Sequence, residues 1–238
     1  METTAATAVK ICGLLTETAV RTTARLPVTH VGFVFAKSKR QVTPQRAGEL
    51  IALLRAEAAG RAEGGAPLAV GVFVNPTLEE LELALAAAPL DAVQLHAGET
   101  PEFCCEVRER FGVQVFKAMP VQKTQTAAPE REAVAAQLDP FRGVIDALLL
   151  DTYDPVYGGG SGQTFAWDCI PVYREWAQGA GIKLFVAGGL QADNVNGLIA
   201  AFHPDGVDVS SGVETDGVKD IAKIEAFVER VTRSGAST

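Results

Sequence analysis

The sequence predicts an α/β fold, a single-domain (β/α)8 TIM barrel, and three observations carry that prediction. Eight short β-rich apolar runs recur along the 238 residues, several of them continuous, as parallel strands covered on both faces are. Helix-compatible segments fill the intervals, and such alternation implies right-handed crossovers and a parallel sheet. After the first run the chain reads ICGLLTE, with one glycine where an open dinucleotide-binding sheet carries its glycine fingerprint. Eight strand–helix units in a chain of this length suit a closed barrel better than a doubly wound sheet.

AVKI (8–11) is the first strand, and Thr16 opens the helix behind it. HVGFVF (30–35) follows, then a helix over 44–60 with Thr43 as cap and Pro44 at its first position. LAVGVFV (68–74) leads to a helix over 77–88 capped by Thr77. DAVQL (91–95) leads to one over 100–111, with Thr100 as cap and Pro101 next. VQVFKA (113–118), DALLL (146–150), KLFVA (183–187) and GVDVS (206–210) complete the strands. The last helix, 220–232, starts at Asp220 and aligns Ile221, Ile224, Phe227, Val228 and Val231 in one apolar stripe. Residues 1–7 are expected as a loosely ordered tail, 8–233 as the barrel and 234–238 as a C-terminal tail. GRAEGGAP (60–67) reads as a surface loop within the domain.

A hydrophobic content of 47% with 21% charged residues supports a sizeable core. The net charge of −8 weighs against a nucleic-acid partner, while a local basic site for a small anion remains compatible with it. No run approaches the roughly 20 apolar residues that span a bilayer, so no membrane partner is expected. METTAATA lacks the basic and apolar regions of a secretory signal. Cys12, Cys104, Cys105 and Cys169 have neither metal-site spacing nor a disulfide framework, which points to a reducing cytoplasm and no metal. Exposed helix faces in a barrel serve a monomer or a homodimer equally well.

Catalytic groups of a barrel gather at the C-terminal ends of its strands. Those ends carry Cys12, the 36–43 loop with Arg40, Asn75, His96, Lys117, Asp151, Gly188–Gly189 and Ser210–Ser211–Gly212. Glycines and serines after the seventh and eighth strands make an anion cradle, where this fold commonly binds phosphate; tight turns alone would also use them. GGGSG (158–162) reads as a loop close to the same anion or as a simple turn. Asp151 ends the most apolar strand, where a carboxyl can act as a general acid or as a helix cap. Cys12 reads as core filler, nucleophile or general base. Arg40 can fork onto a substrate carboxylate or sit solvated. His96 reads as structural or substrate-lining ahead of an acid–base group, and the signals from Asn75 and Lys117 are weaker.

KICGL, GFVFAKSKRQVTP, GVFVN, VQLHAGE, LLLDT, GGGSGQTFAWD, VAGGLQADNV and GVDVSSGVET with GVKD resemble, in matching order, the phosphoribosylanthranilate isomerases of tryptophan biosynthesis. That resemblance implies an Amadori rearrangement of N-(5-phosphoribosyl)anthranilate to 1-(2-carboxyphenylamino)-1-deoxyribulose 5-phosphate. It implies Cys12 as general base, Asp151 as general acid, and Arg40 against the anthranilate carboxylate. Gly188, Gly189, Ser210, Ser211 and Gly212 become the phosphate grip. One acid and one base suffice, so no cofactor is expected. Lys39 stands where the family commonly has proline, and Ala97 where it has glycine. Two other readings are a related phosphate-binding barrel isomerase acting on a histidine-pathway aminoaldose, and a non-catalytic phosphosugar-binding module.

Overall fold

All eight apolar runs become parallel strands: β1 (Ala8–Cys12), β2 (His30–Val34), β3 (Leu68–Phe73), β4 (Ala92–Leu95), β5 (Gln114–Gln122), β6 (Ala147–Tyr153), β7 (Lys183–Val186) and β8 (Gly206–Val209). They pair in chain order and close into a barrel, Ile11 of β1 lying in register with Val209 of β8. The computed structural model describes residues 6–61, 65–122, 129–153 and 167–234. The GGGSG segment lies outside the described residues, as do parts of the 60–67 and 121–130 stretches.

Two strands run three or more residues past their predicted ends. β5 continues to Gln122 and β6 to Tyr153, and their added residues pair with each other, Pro120 opposite Asp151 and Val121 opposite Thr152. Each extension supplies the hydrogen-bonding partner the other needs, which single-strand hydropathy does not report. Asp151 therefore sits on a held strand rather than on a loop.

Five helices begin at the predicted caps. Thr16, Thr43, Thr77 and Thr100 each accept a first-turn N–H, opening α1 (Glu17–Arg25), α2 (Pro44–Ala58), α3 (Leu78–Ala87) and α4 (Pro101–Phe111). Losing such a cap costs about 1 kcal/mol. Three helices lack any capping side-chain hydrogen bond: α5 (Arg131–Leu138), α6 (Ile170–Ala180) and α7 (Val195–Phe202). These are the three that cap signals in the sequence do not delimit. The last helix, α8 (Ile221–Ser234), starts at Asp220, whose carboxylate accepts from Lys223 N at 3.2 Å. Ile224, Phe227, Val228 and Val231 of its stripe are buried. Among the described residues no helix is long and apolar enough to cross a membrane.

The core has two parts. A large apolar layer lies between barrel and helices, and a small one fills the barrel's interior with Val70, Ala92, Phe116, Leu149 and Phe185. The two-residue alternation of strand side chains then sends Lys10 and Cys12, Gln94 and His96, Leu149 and Asp151, and Asp208 and Ser210 inward. Below them the His30 ring meets those of Phe116 and Phe185 at centroid distances of 5.7 and 5.2 Å. Burial, aided by the Lys10 charge, lowers the His30 pKa to about 4.

Unfolding lets His30 take up a proton that the folded chain resists, so stability falls as pH drops from about 6.5 toward 4. The expected loss is roughly 3 kcal/mol, and it should be largely absent in His30→Gln. Urea midpoints of both proteins between pH 7 and pH 4 measure it; identical slopes would rule the histidine out as the cause.

Candidate active site

The thiol of Cys12 is accommodated by a missing side chain on the neighbouring strand. A Cβ at Gly32 would lie 2.6 Å from Cys12 Sγ, so glycine on β2 leaves room for the sulfur. Cys12 is 8% exposed, which keeps it dry yet open to the barrel mouth. Burial pushes the thiol up from its ordinary range, and the Lys10 ammonium pulls it back.

Gly13 makes room for a side chain from the loop after β2. It adopts φ +80°, and a Cβ there would meet Arg40 Cδ at 2.6 Å. The clearance serves the arginine's stem. Arg40 in turn forks onto Glu214, Nε to Oε1 at 2.6 Å and Nη2 to Oε2 at 3.0 Å. Lys219 Nζ donates to the same carboxylate at 2.8 Å, and Lys39 Nζ stands 3.5 Å away. The lysine in the usual proline position thus joins the cluster that anchors the loop. Burial opposes ionisation of Glu214, but hydrogen bonds from Arg40 and Lys219 hold its carboxyl at about 2. This contribution to stability is present above the ordinary carboxylate range and is lost only as pH falls toward 2.

Asp151 faces the cavity from β6. Its Oδ1 accepts from Thr152 N at 2.8 Å, and its Oδ2 lies 3.3 Å from His96 Nε2. Gln94 Nε2 stands 3.0 Å from His96 Nδ1. With the amide donating there, the imidazole carries its proton on Nε2, toward the carboxylate. The loop bearing His96 is tied from below. Lys117 Nζ donates to Ala97 O at 2.7 Å and to Glu99 at 3.1 Å, and Glu99 accepts from Asn75 N and Ala97 N. Lys117 and Asn75 therefore hold this loop without lining the cavity. Ala97 fits here because its backbone, rather than its side chain, makes the contacts.

On the far rim, the Ser210 hydroxyl donates to Cys12 O at 3.1 Å and joins the eighth strand's exit to the first's. A Cβ on Gly212 would come within 1.8 Å of Leu190 O, so the two rim loops pack backbone to backbone. Gly188 and Gly189 border the same opening, with Asn194 Nδ2 donating to Gly189 O at 2.9 Å.

One cavity of about 800 Å³ takes in Cys12, Arg40, His96, Asp151, Gly188, Gly189, Ser210, Ser211 and Gly212; of the strand-end residues named from sequence, Asn75 and Lys117 do not line it. Asp208, Gln94 and Lys37 also line it. Lys10 pairs with Asp208 beneath, Nζ to Oδ2 at 2.7 Å. Sequence reasoning did not single these out, although a lysine within AVKIC and an aspartate within GVDV, both inside apolar strands, were visible signals. Cys12 and Asp151 stand on strands three positions apart around the barrel, with apolar wall and glycine-rich rim between them. The arrangement offers a proton acceptor and a proton donor to one small polar molecule.

The chain is similar to known proteins along nearly its whole length. A family model described as N-(5'phosphoribosyl)anthranilate (PRA) isomerase matches residues 9–230. The N-(5'-phosphoribosyl)anthranilate isomerase of Brevibacillus brevis is 47% identical over 225 residues, covering 94% of this chain and 93% of its own. The phosphoribosyl anthranilate isomerase structure from Thermotoga maritima superposes with a TM-score of 0.73 at 34% identity, over 94% of this chain and 98% of its own. Another such isomerase, in complex with reduced 1-(o-carboxyphenylamino)-1-deoxyribulose 5-phosphate, gives a TM-score of 0.70 at 30% identity, over 94% and 98%.

Proposed function

Because the chain belongs to the N-(5'-phosphoribosyl)anthranilate isomerase family, we propose that it performs its Amadori rearrangement with Cys12 as base and Asp151 as acid. The chain is an isomerase of tryptophan biosynthesis. The observation that carries the residue roles is the placing of thiol and carboxyl on two walls of one cavity whose rim is glycine and serine.

Asp151 as carboxylic acid protonates the furanose ring oxygen of the aminoaldose, and the anilino nitrogen's electron pair forms the Schiff base as the ring opens. The C2 hydrogen is then acidic. Cys12 as thiolate removes it, and the electrons left on C2 flow into an enolamine. Proton delivery to C1 and loss of the C2 hydroxyl proton give the ketose. The substrate loses no electrons, so acid–base groups account for the steps.

The phosphate belongs at Gly188, Gly189, Ser211 and Gly212, remote from the reacting carbons, where it contributes affinity and orientation. Ser210 steadies this grip through its bond to Cys12 O. Arg40 uses Nε and Nη2 on Glu214, and we assign Nη1 to the anthranilate carboxylate. His96 lines the substrate beside Asp151. The four cysteines are free thiols, consistent with work in a reducing cytoplasm.

Adding the protein to N-(5-phosphoribosyl)anthranilate, with no cofactor, should abolish the substrate's fluorescence. The histidine-pathway aminoaldose should be turned over far more slowly; preference for it would overturn the substrate assignment. Gly212→Ala is expected to raise KM about tenfold with a smaller change in kcat, because the loop must move off Leu190 O. An unchanged KM would remove Gly212 from the phosphate grip.

A further inference from the structure

Lys10 is a charged side chain in the centre of the barrel that the rearrangement itself does not use. It has no exposed surface, and burying an ammonium costs several kcal/mol unless partners repay it. Its Nζ sits 2.7 Å from Asp208 Oδ2, and its charge favours ionisation of the Cys12 thiol. Lys10 and Cys12 are two residues apart on β1, so both project into the same interior.

We infer that Lys10 is a positioning residue for the proposed base, its ammonium, pinned by Asp208 at the foot of the substrate cavity, stabilising the anion that Cys12 becomes when it ionises. The inference rests on the reading of Cys12 as base. Three observations favour it over a purely structural ion pair. Among the described residues Asp208 Oδ1 is buried without a hydrogen-bond partner, so the pair is not saturated as a stabilising pair would be. His96 is engaged by Gln94 and Asp151, and His30 lies lower against two phenylalanine rings, so neither is an imidazolium partner for the sulfur. The neighbouring strand β2 offers the sulfur Gly32, which carries no charge.

The charged groups acting on the thiol are Lys10 from its own strand, Asp208 from β8, and Lys219 from the hairpin formed by Glu214–Thr215 and Val218–Lys219. Lys10 and Lys219 favour the thiolate, and Asp208 opposes it. Lys10 keeps its proton: burial works against the charge, but Asp208 and Cys12 together raise it above the ordinary lysine range. Asp208 is raised by burial, with Lys10 opposing. The pair thus sets two opposite charges near the sulfur, the ammonium favouring its ionisation and the carboxylate opposing it.

Opposite shifts test this. The rate at which iodoacetamide alkylates Cys12, read as the Cys12 peptide by mass spectrometry, is followed against pH in wild type, Lys10→Met and Asp208→Asn. In Lys10→Met the alkylation midpoint should rise by about one pH unit or more, an alkylation rate about tenfold lower near neutrality. In Asp208→Asn it should fall, and Lys10→Arg should recover most of the wild-type midpoint. The acid limb of kcat/KM should move with each midpoint. An unmoved midpoint in folded Lys10→Met, or shifts of the same sign in both variants, overturns the proposal. Where Lys10→Met does not fold, Asp208→Asn decides, and a midpoint that stays or rises overturns it. Midpoints that shift as stated while kcat/KM does not follow would leave Lys10 in its role and instead refute Cys12 as the base.

Discussion

Cys12→Ser should lower kcat by about 10³-fold while KM stays within a few-fold of wild type. Serine has nearly the shape of cysteine and fits the space Gly32 leaves, so cavity and fold are preserved. What is lost is a group that ionises in reach of neutral pH. An alcohol in the same place stays protonated even beside the Lys10 ammonium, and the C2 hydrogen then has no acceptor. Steady-state turnover with unchanged circular dichroism checks the result. Activity within tenfold of wild type would mean that another group takes the proton.

Asp151→Asn is expected to cost 10²- to 10⁴-fold in kcat, the range of a general acid, again with modest change in KM. The amide oxygen can still accept from Thr152 N, as Asp151 Oδ1 does at 2.8 Å, so the β5–β6 extension should hold. An amide cannot release a proton to the furanose oxygen, and ring opening slows. The product analogue should bind the variant nearly as well as wild type, which separates lost chemistry from lost binding. Its pH–rate profile should lack the limb that reports protonation of the acid. Wild-type turnover in this variant would move the acid to another residue, with His96 the nearest.

The two residues differ in how they could be read. Asp151 stands out in sequence because it follows an unbroken apolar run, and a period of two puts it on the interior face. Cys12 alone fits a core filler as well as a base. It became informative through company: the cavity joins it to Asp151, and Lys10 lies beneath. Arg40 was legible as a rim residue, but its anchor Glu214 is 174 residues away in the chain. The same holds for Gly13, whose need for glycine comes from Arg40's stem.

By itself the sequence determined the strands, the capped helices, and most of the side chains that stand at the C-terminal rim of the barrel. Strand alternation, capping and turn chemistry act over a few residues, so a linear reading reaches them. Only the tertiary structure decided which charges meet. Lys10 and Asp208 are 198 positions apart and touch because β8 closes onto β1. Glu214 collects Arg40, Lys39 and Lys219 for the same reason, the hairpin after β8 folding over the loop after β2. Barrel closure is a cooperative outcome of the whole chain, and the electrostatics of the thiol depend on it.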